Sequence, residues 1–357
     1  MPFPGVGLHD LRRRALAAGV FGGATDILNL TATTTAPSQI VTINRMEPAS
    51  GETVTIQWGD GASTTSTDTS SHSHTYAVAG EYAITVTAAS NIVAVDLRDA
   101  KLGGLNTSEL RNSAITYWVC TGITDSIIDS ADMASWSPII WWLYSMPSGT
   151  YTIDSADMAS WTPIIWRLSS MPSGTYTIDS ADMASWSPSV WQLTSMPSGT
   201  YSIDSADMAS WSPANWRLYS MPSGTYTIDS ADMASWSPSI WWLYSMPSAD
   251  TSWTISAGDF TGWTTITTML ANDNAWTQAQ VEAVLWGVYQ ASRDGPRTAS
   301  GGTINVGGSN AAPSGTFQAA SACPVSVATD GKEVAYELLN DSCAAGFNVW
   351  STVTFTT

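Results

Sequence analysis

Ten aspartates recur in pairs through the middle of the chain. Asp129, Asp154, Asp179, Asp204 and Asp229 stand 25 residues apart, and Asp132, Asp157, Asp182, Asp207 and Asp232 follow each by three. Columns of carboxylates can hold calcium, and a carboxylate pair can do the acid–base work of glycoside hydrolysis. Neither chemistry suits this pattern. Calcium loops add glycine and further oxygen ligands at fixed spacing, and the surrounding SADMASW supplies few. An active site is normally singular, whereas this pair is repeated identically five times. Asp-Ser-Ala-Asp reads instead as a helix start on a solvated face, with an acidic residue in the first turn.

The other reactive side chains are sparse. Three histidines (His9, His72, His74) and three cysteines (Cys120, Cys323, Cys343) cannot build a zinc framework or a disulfide-dense scaffold. His72 and His74 fall in a Ser/Thr-rich loop with no third ligand nearby. Cys323 and Cys343 are compatible with a disulfide or with two thiols, and Cys120 reads as a core residue. The sequence contains no nucleophile elbow, no P-loop and no singular acid pair. The expectation is a protein that is not an enzyme, with no catalytic residue, no metal site and no cofactor.

A different set of residues can do recognition. The unit IDSADMASWSPxxWxLxSMPSGTYT begins at Ile128 and returns at Ile153, Ile178, Ile203 and Ile228. Across the first four units only six of 25 positions vary, and two of these merely exchange Ser and Thr. The other four change radically, and all lie between Pro138 and Ser145 or their equivalents. One series begins at Ile139. The next runs Ile140, Ile165, Val190, Asn215, Ile240. Then come Trp142, Arg167, Gln192, Arg217, Trp242, and last Tyr144, Ser169, Thr194, Tyr219, Tyr244. The last three series alternate with the constant Trp141 and Leu143, so they must face away from a core. Rigid aromatic anchors mixed with adaptable polar groups make a binding surface. Drift at exposed positions is the plain alternative, but drift should also have touched the exposed Asp, Ser, Thr and Gly of the turns. Burial of Trp142 and Trp242 by a second copy of the chain would make the same face an oligomer contact.

The elements that position these residues follow from the repeat. A fixed period of 25 lies in the solenoid range. The repeat supplies 12 of the 19 Trp and 10 of the 13 Met. Ile140 to Ser145 alternates with the period of a strand, and five such strands would stack in parallel about 4.8 Å apart. A short helical turn over Ala131 to Trp136 would form the outer face, ended by Pro138. The stretch LYSMPSGTYTIDSADMASWSPxxWxL resembles the leucine-rich repeat family in its order of strand, corner, turn, convex segment and return. The resemblance covers about residues 90–270. It implies a parallel sheet on the concave side that carries the ligand. Trp and Met replace the usual Leu, and Met146, Met171, Met196, Met221 and Met246 occupy the corner where that family has Asn, so the corner must be satisfied in another way. Degenerate units flank the five copies: Ile115, Tyr117 and Val119 mark a strand upstream, and Trp253 to Trp263 echoes the unit downstream.

Residues 29–90 alternate apolar and polar residues in short runs, IVTI, TVTIQW and YAITVTA, which is the pattern of an antiparallel sandwich. Trp58-Gly59-Asp60-Gly61, then His74-Thr75-Tyr76, then Gly80 to Val86 resembles the PKD family of Ig-like domains. That likeness implies a β-sandwich serving as a spacer or adhesive module, with Asp60 structural. Residues 1–28 hold Arg12-Arg13-Arg14 before a brief apolar run, which fits a signal peptide or a short docking helix. Thr277 with Gln280 opens an amphipathic helix over 277–292. A short strand within 301–308, a helix over 332–340 and a strand over 347–355 complete an α+β cap. This tail resembles those that follow leucine-rich-type repeats in tailed-phage structural proteins.

The expected fold is mainly β with short helices. It comprises an N-terminal attachment segment (1–28), an Ig-like β-sandwich (29–90), a leucine-rich-repeat-like parallel-sheet solenoid (91–270, with the near-identical copies at 128–247) and an α+β C-terminal cap (271–357). A net charge of −18, from 12 Lys and Arg against 30 Asp and Glu, disfavours nucleic acid. With no run of 18 apolar residues, no membrane insertion is expected. The function expected is recognition: a phage virion component whose varied face binds a host-cell surface glycan or protein, with other virion or surface-assembly proteins as partners. The alternatives are a decoration or appendage protein with the solenoid as spacer, and a secreted bacterial adhesin at the cell surface.

Overall fold

The computed structural model describes residues 26–293, 301–315, 330–339 and 350–356. Residues 1–25, most of the expected attachment segment, and Cys323 and Cys343 lie outside the described residues. The chain is mainly β, with an Ig-like sandwich, a region of repeated parallel strands and a small helical C-terminal part.

The sandwich comprises β1 (Ile27–Thr34), β2 (Gln39–Ile43), β3 (Arg45–Pro48), β4 (Val54–Gln57), β5 (Ser63–Ser66), β6 (His72–Tyr76) and β7 (Gly80–Thr87). Alternate residues of β1 are buried, as one apolar face requires. Strands β5, β4, β7 and β1 form an antiparallel sheet, and β2 pairs with β6. His72 and His74 therefore lie on a strand, where a loop was expected. The Ser/Thr-rich run hides the alternation of a buried His72 and Tyr76.

No linker separates sandwich from solenoid. After β7 a single 3-10 turn over Ala89–Asn91 leads into β8 (Ile92–Leu97). β3 leaves the sandwich to pair antiparallel with β8, and β9 (Leu102–Gly103) pairs back onto β1. Glu109 receives the backbone and side-chain N–H groups of Asn29, at 2.6 and 2.9 Å. The sandwich thus closes the N-terminal end of the solenoid core, as the atypical terminal unit of a repeat array must.

Two parallel sheets run the length of the repeats. The long one continues from β8 through β10 (Tyr117–Thr121), then skips alternate strands. The second begins at β11 (Ser126–Asp129). In chain order the copies supply β12 (Ile140–Tyr144), β13 (Gly149–Asp154), β14 (Ile165–Ser169), β15 (Thr175–Asp179), β16 (Val190–Thr194), β17 (Thr200–Asp204), β18 (Asn215–Tyr219), β19 (Thr225–Asp229), β20 (Ile240–Tyr244) and β21 (Thr251–Thr254). Even-numbered strands join the long sheet and odd-numbered ones the second. The second sheet corrects the reading of one strand per unit followed by a small-residue turn: Tyr151 and Ile153 point in while Thr152 points out, a two-residue period too short to stand out in sequence. Ile115 lies in the core just before β10, whose inward residues are Trp118 and Cys120.

The core is built of stacked identical side chains. Trp141, Trp166, Trp191, Trp216 and Trp241 form a column with centroids 5.5 to 6.1 Å apart and planes within 17° of parallel. A second tryptophan from each 3-10 corner, such as Trp161 beside Trp141, tilts against it at 6.1 Å. Offset aromatic contacts of this kind add to the area buried.

The two corners are satisfied differently. At the first, Ser145, Ser170, Ser195, Ser220 and Ser245 take positive φ near 50°. Their N–H groups donate to the carbonyl of the next strand, as Ser145 does to Ser169 at 3.1 Å. This backbone ladder replaces the missing asparagine, and the methionines pack beneath it. Asparagine takes over only at the C-terminal end, where buried Asn274 accepts from Met246 N–H and donates to the Leu243 carbonyl.

At the second corner Asp129 caps the 3-10 turn Ser130–Met133 by accepting from Ala131 N–H at 3.1 Å. Ser130 Oγ accepts from Asp154 N–H at 2.9 Å and donates to Asp157 Oδ2 at 2.5 Å. Ser155, Ser180, Ser205 and Ser230 repeat the arrangement. The second aspartate column is therefore a set of acceptors between coils rather than caps on a solvated face.

Beyond β20 the long sheet adds β22 (Thr268–Leu270), then α1 (Gln278–Arg293), β23 (Thr303–Asn305), α2 (Gly331–Leu339) and β24 (Thr352–Thr354) follow. Thr277 and Gln280 form the expected capping box, with Thr277 N–H on Gln280 Oε1 at 2.8 Å. α1 packs on the 3-10 turn Ala257–Phe260, so close that Gly287 has no room for a Cβ.

Candidate binding face

The register of the long sheet assembles the varied residues into three adjacent rows. Each strand is offset from the next by 25 residues, so equivalent positions fall side by side. The first row is Ile140, Ile165, Val190, Asn215 and Ile240. The second is Trp142, Arg167, Gln192, Arg217 and Trp242. The third is Tyr144, Ser169, Thr194, Tyr219 and Tyr244. All fifteen residues share the outward face, while Trp141 and Leu143 of the same strands are fully buried. Tyr117 and Thr121 of β10, and Thr268 and Leu270 of β22, extend the rows, with Val119 of β10 in register but buried. Sequence reasoning left these flanking residues out because they lie in degenerate units.

Three of the fifteen depart from the expectation of open contact residues. Val190, Ser169 and Thr194 are 8, 7 and 1% exposed. They are shorter than the aromatic and arginine side chains on the strands beside them, which shield them. Gln192 Nε2 reaches Thr194 Oγ1 at 3.2 Å. These three set the depth of the middle of the face and leave contact to the residues around them.

The long side chains hold one another in place. Arg167 lies over the Trp142 ring with its guanidinium carbon 4.5 Å from the centroid, and Arg217 lies over Trp242 at 4.2 Å. Trp142 stacks on Tyr144 at 4.8 Å and Tyr219 on Tyr244 at 4.4 Å. Burial pulls both guanidiniums below the ordinary arginine value, with the charge of Arg217 adding to the effect at Arg167. Arginine nonetheless stays charged. Burial, with the neighbouring Tyr219, pushes the Tyr244 phenol up, so it remains a neutral donor and acceptor.

The electrostatics of the face are set by what is missing from it. From β10 to β24 the long sheet contains no Asp or Glu in its strands. Its acids lie at the N-terminal end, where Asp96 of β8 is held by Arg98 through two bonds of 2.7 and 2.6 Å and Glu47 of β3 is paired with Arg45. Among the described residues, Arg45, Arg98 and Arg111 pair with Glu47, Asp96 and Asp132, whereas Arg167 and Arg217 have no carboxylate partner.

The remaining reactive side chains have structural partners. His74 Nε2 bonds Asp60 Oδ2 at 2.6 Å and stacks on Trp58 at 5.2 Å. That hydrogen bond holds the Asp60 carboxyl below its usual value. Burial raises the Cys120 thiol, which suits a core residue and not a nucleophile. No cluster of three His, Cys, Asp or Glu side chains suited to a metal ion occurs among the described residues. Nor, among them, is any helix long and apolar enough to cross a membrane.

The PKD domain family matches residues 27–97. Those residues are the sandwich together with β8, the strand it shares with the solenoid. No curated protein and no solved structure matches the chain. The class this defines is a PKD-type Ig-like domain joined to a parallel-strand repeat array.

Proposed function

We propose that this protein is a non-enzymatic recognition or adhesion protein, whose long sheet binds a surface glycan or protein through its outward face. One observation carries the reading: among near-identical copies, three of the four radically varied positions are gathered by the fold on this face, and the fourth, the Ile139 series, stands at the residue just before each strand. The constant positions include the core, the corners and the ladders, and also exposed residues such as Thr150, which stays unchanged across the first four units without being buried. A PKD-type domain is consistent with such a role. The likeness of the repeats to leucine-rich repeats, and of the tail to phage structural proteins, supports a tail-associated virion component that acts on a host cell. A secreted bacterial adhesin built from the same modules is the alternative setting.

The test compares binding of the wild-type protein to candidate host cells with that of a variant carrying Trp142→Ala, Arg167→Ala, Gln192→Ala, Arg217→Ala and Trp242→Ala, checked to be folded. Binding by the wild type alone is the expected result. Equal binding by both would make the repeats a scaffold, and would turn attention to the sandwich and its attachment segment.

A further inference from the structure

We propose that the molecule recognised is an acidic polysaccharide, its oxyanions held by Arg167 and Arg217 and its sugar rings lying along the row between Trp142 and Trp242. This rests on the reading of the outward face as a recognition surface and adds the chemistry of what it takes.

The second row reads Trp, Arg, Gln, Arg, Trp and is symmetric about Gln192. At about 4.8 Å per strand, the two arginine strands lie about 10 Å apart and the two tryptophan strands about 19 Å apart. The guanidiniums are aligned by the indoles beneath them and incompletely satisfied. The buried Nε atoms of both, and Nε1 of Trp242, have no hydrogen-bond partner, and the polar contact on Arg217 is Gln192 Oε1 at 3.5 Å. A guanidinium is a rigid fork of five donors that matches a carboxylate or sulfate. Such a fork takes an oxyanion through two parallel charge-assisted N–H bonds.

The charge distribution agrees. The chain is strongly acidic, yet its long-sheet strands beyond β8 carry no acid, and the repeat aspartates sit at the far corner with the 3-10 turns. Screening over about 8 Å at physiological salt separates the two regions. The row lies in mid-sheet with both strand edges already paired, so a peptide cannot add to it as a strand. Besides charge it offers phenols, amides and indoles partly covered by the guanidiniums, groups suited to the hydroxyls and apolar faces of sugars.

The experiment uses the full chain on immobilised polygalacturonate, hyaluronan, dextran sulfate, dextran, methyl-esterified polygalacturonate and poly-glutamate. Wild type is compared with Arg167→Gln, Arg217→Gln and the double variant. Glutamine already occupies the equivalent position at Gln192, so the coil accepts it, and a thermal melt checks this. Retention is expected on the acidic polysaccharides and not on dextran, the ester or poly-glutamate. Each single change should weaken it about tenfold and the double change abolish it. The carboxylate and sulfate polymers identify which oxyanion is read. Equal retention on neutral sugars or on poly-glutamate, no retention on any acidic polysaccharide, or full retention by the double variant would each overturn the proposal. Cell binding by the five-alanine variant separates the two claims. If cell binding is lost while the acidic polymers fail, the face stands and its ligand is neutral. If cell binding is unchanged, the reading of the face itself falls.

Discussion

Ser180 donates its hydroxyl hydrogen to Asp207 of the next coil at 2.5 Å, while accepting the N–H of Asp204 at 2.8 Å. A buried hydroxyl thereby ties one coil to both the backbone and the carboxylate of its neighbour. Ser180→Ala leaves the Asp204 N–H and an Asp207 oxygen without this partner. A loss of about 1–3 kcal/mol is expected in urea unfolding. Asp207→Asn keeps an acceptor oxygen and should cost less. Equal stability of Ser180→Ala and wild type would show that the ladder is incidental.

Coil deletion tests the interchangeability of the repeats. Removing residues 178–202 joins equivalent points of the frame and sets Arg167 on a strand beside Arg217, about 4.8 Å away. Removing residues 153–177 instead sets Trp142 beside Gln192. Both variants should fold, with the far-UV spectrum of a β protein. The first should melt at the lower temperature, because two like charges then share a half-buried site. Equal melting temperatures would mean that the arginines are solvated well enough not to feel each other.

The cap depends on one close approach. A Cβ on Gly287 would stand 2.4 Å from the Ala257 carbonyl oxygen and 2.7 Å from Phe260 Cβ. Alanine favours a helix over glycine by about 1 kcal/mol, yet Gly287→Ala should lower thermal stability by pushing α1 off the last coil. Gly258→Ala, where a Cβ meets nothing within 4 Å, is the matched control and should be neutral.

The sandwich should weaken in mild acid. Burial holds His72 below its ordinary value of 6.5, against the opposing charge of Asp68. The unfolded chain therefore takes up the proton first. The stability tied to the neutral ring is fully present above pH 6.5 and is lost as pH falls from there through the folded-state value. His72→Leu removes this contribution. The drop in melting temperature between about pH 7.5 and about pH 5 should be smaller in the variant than in wild type.

Much of the fold was legible because the repeat states its own periods. Trp141 and Leu143 never change while Trp142 and Tyr144 do, which fixes both the strand and its two faces. The second sheet escaped notice because Tyr151 and Ile153 are its only inward residues per coil, set among Thr, Gly and Asp that read as a turn. The aspartate columns were misread in part because the bond from Ser130 to Asp157 spans 27 residues. Local capping logic sees only the bond from Asp129 to Ala131. The candidate face was legible as a list, but not in depth. That Val190, Ser169 and Thr194 are shielded depends on the longer side chains one strand away, which a column of sequence does not measure.

Coil-to-coil contacts in the interior of the array join constant residues in the same way at every step: Trp to Trp and Leu to Leu in register, and Ser to the Asp of the next coil. In its core, therefore, no interior coil is specific to its neighbours, and the order of the units is constrained only through the varied side chains of the outward face. Trp, Arg, Gln, Arg, Trp is one permutation among several that the same frame would support. Unequal exchange between near-identical gene segments reorders, adds or removes whole units in a single event. Such an architecture lets a lineage compose new surfaces by shuffling, without first finding the compensating core mutations that a unique interior would demand.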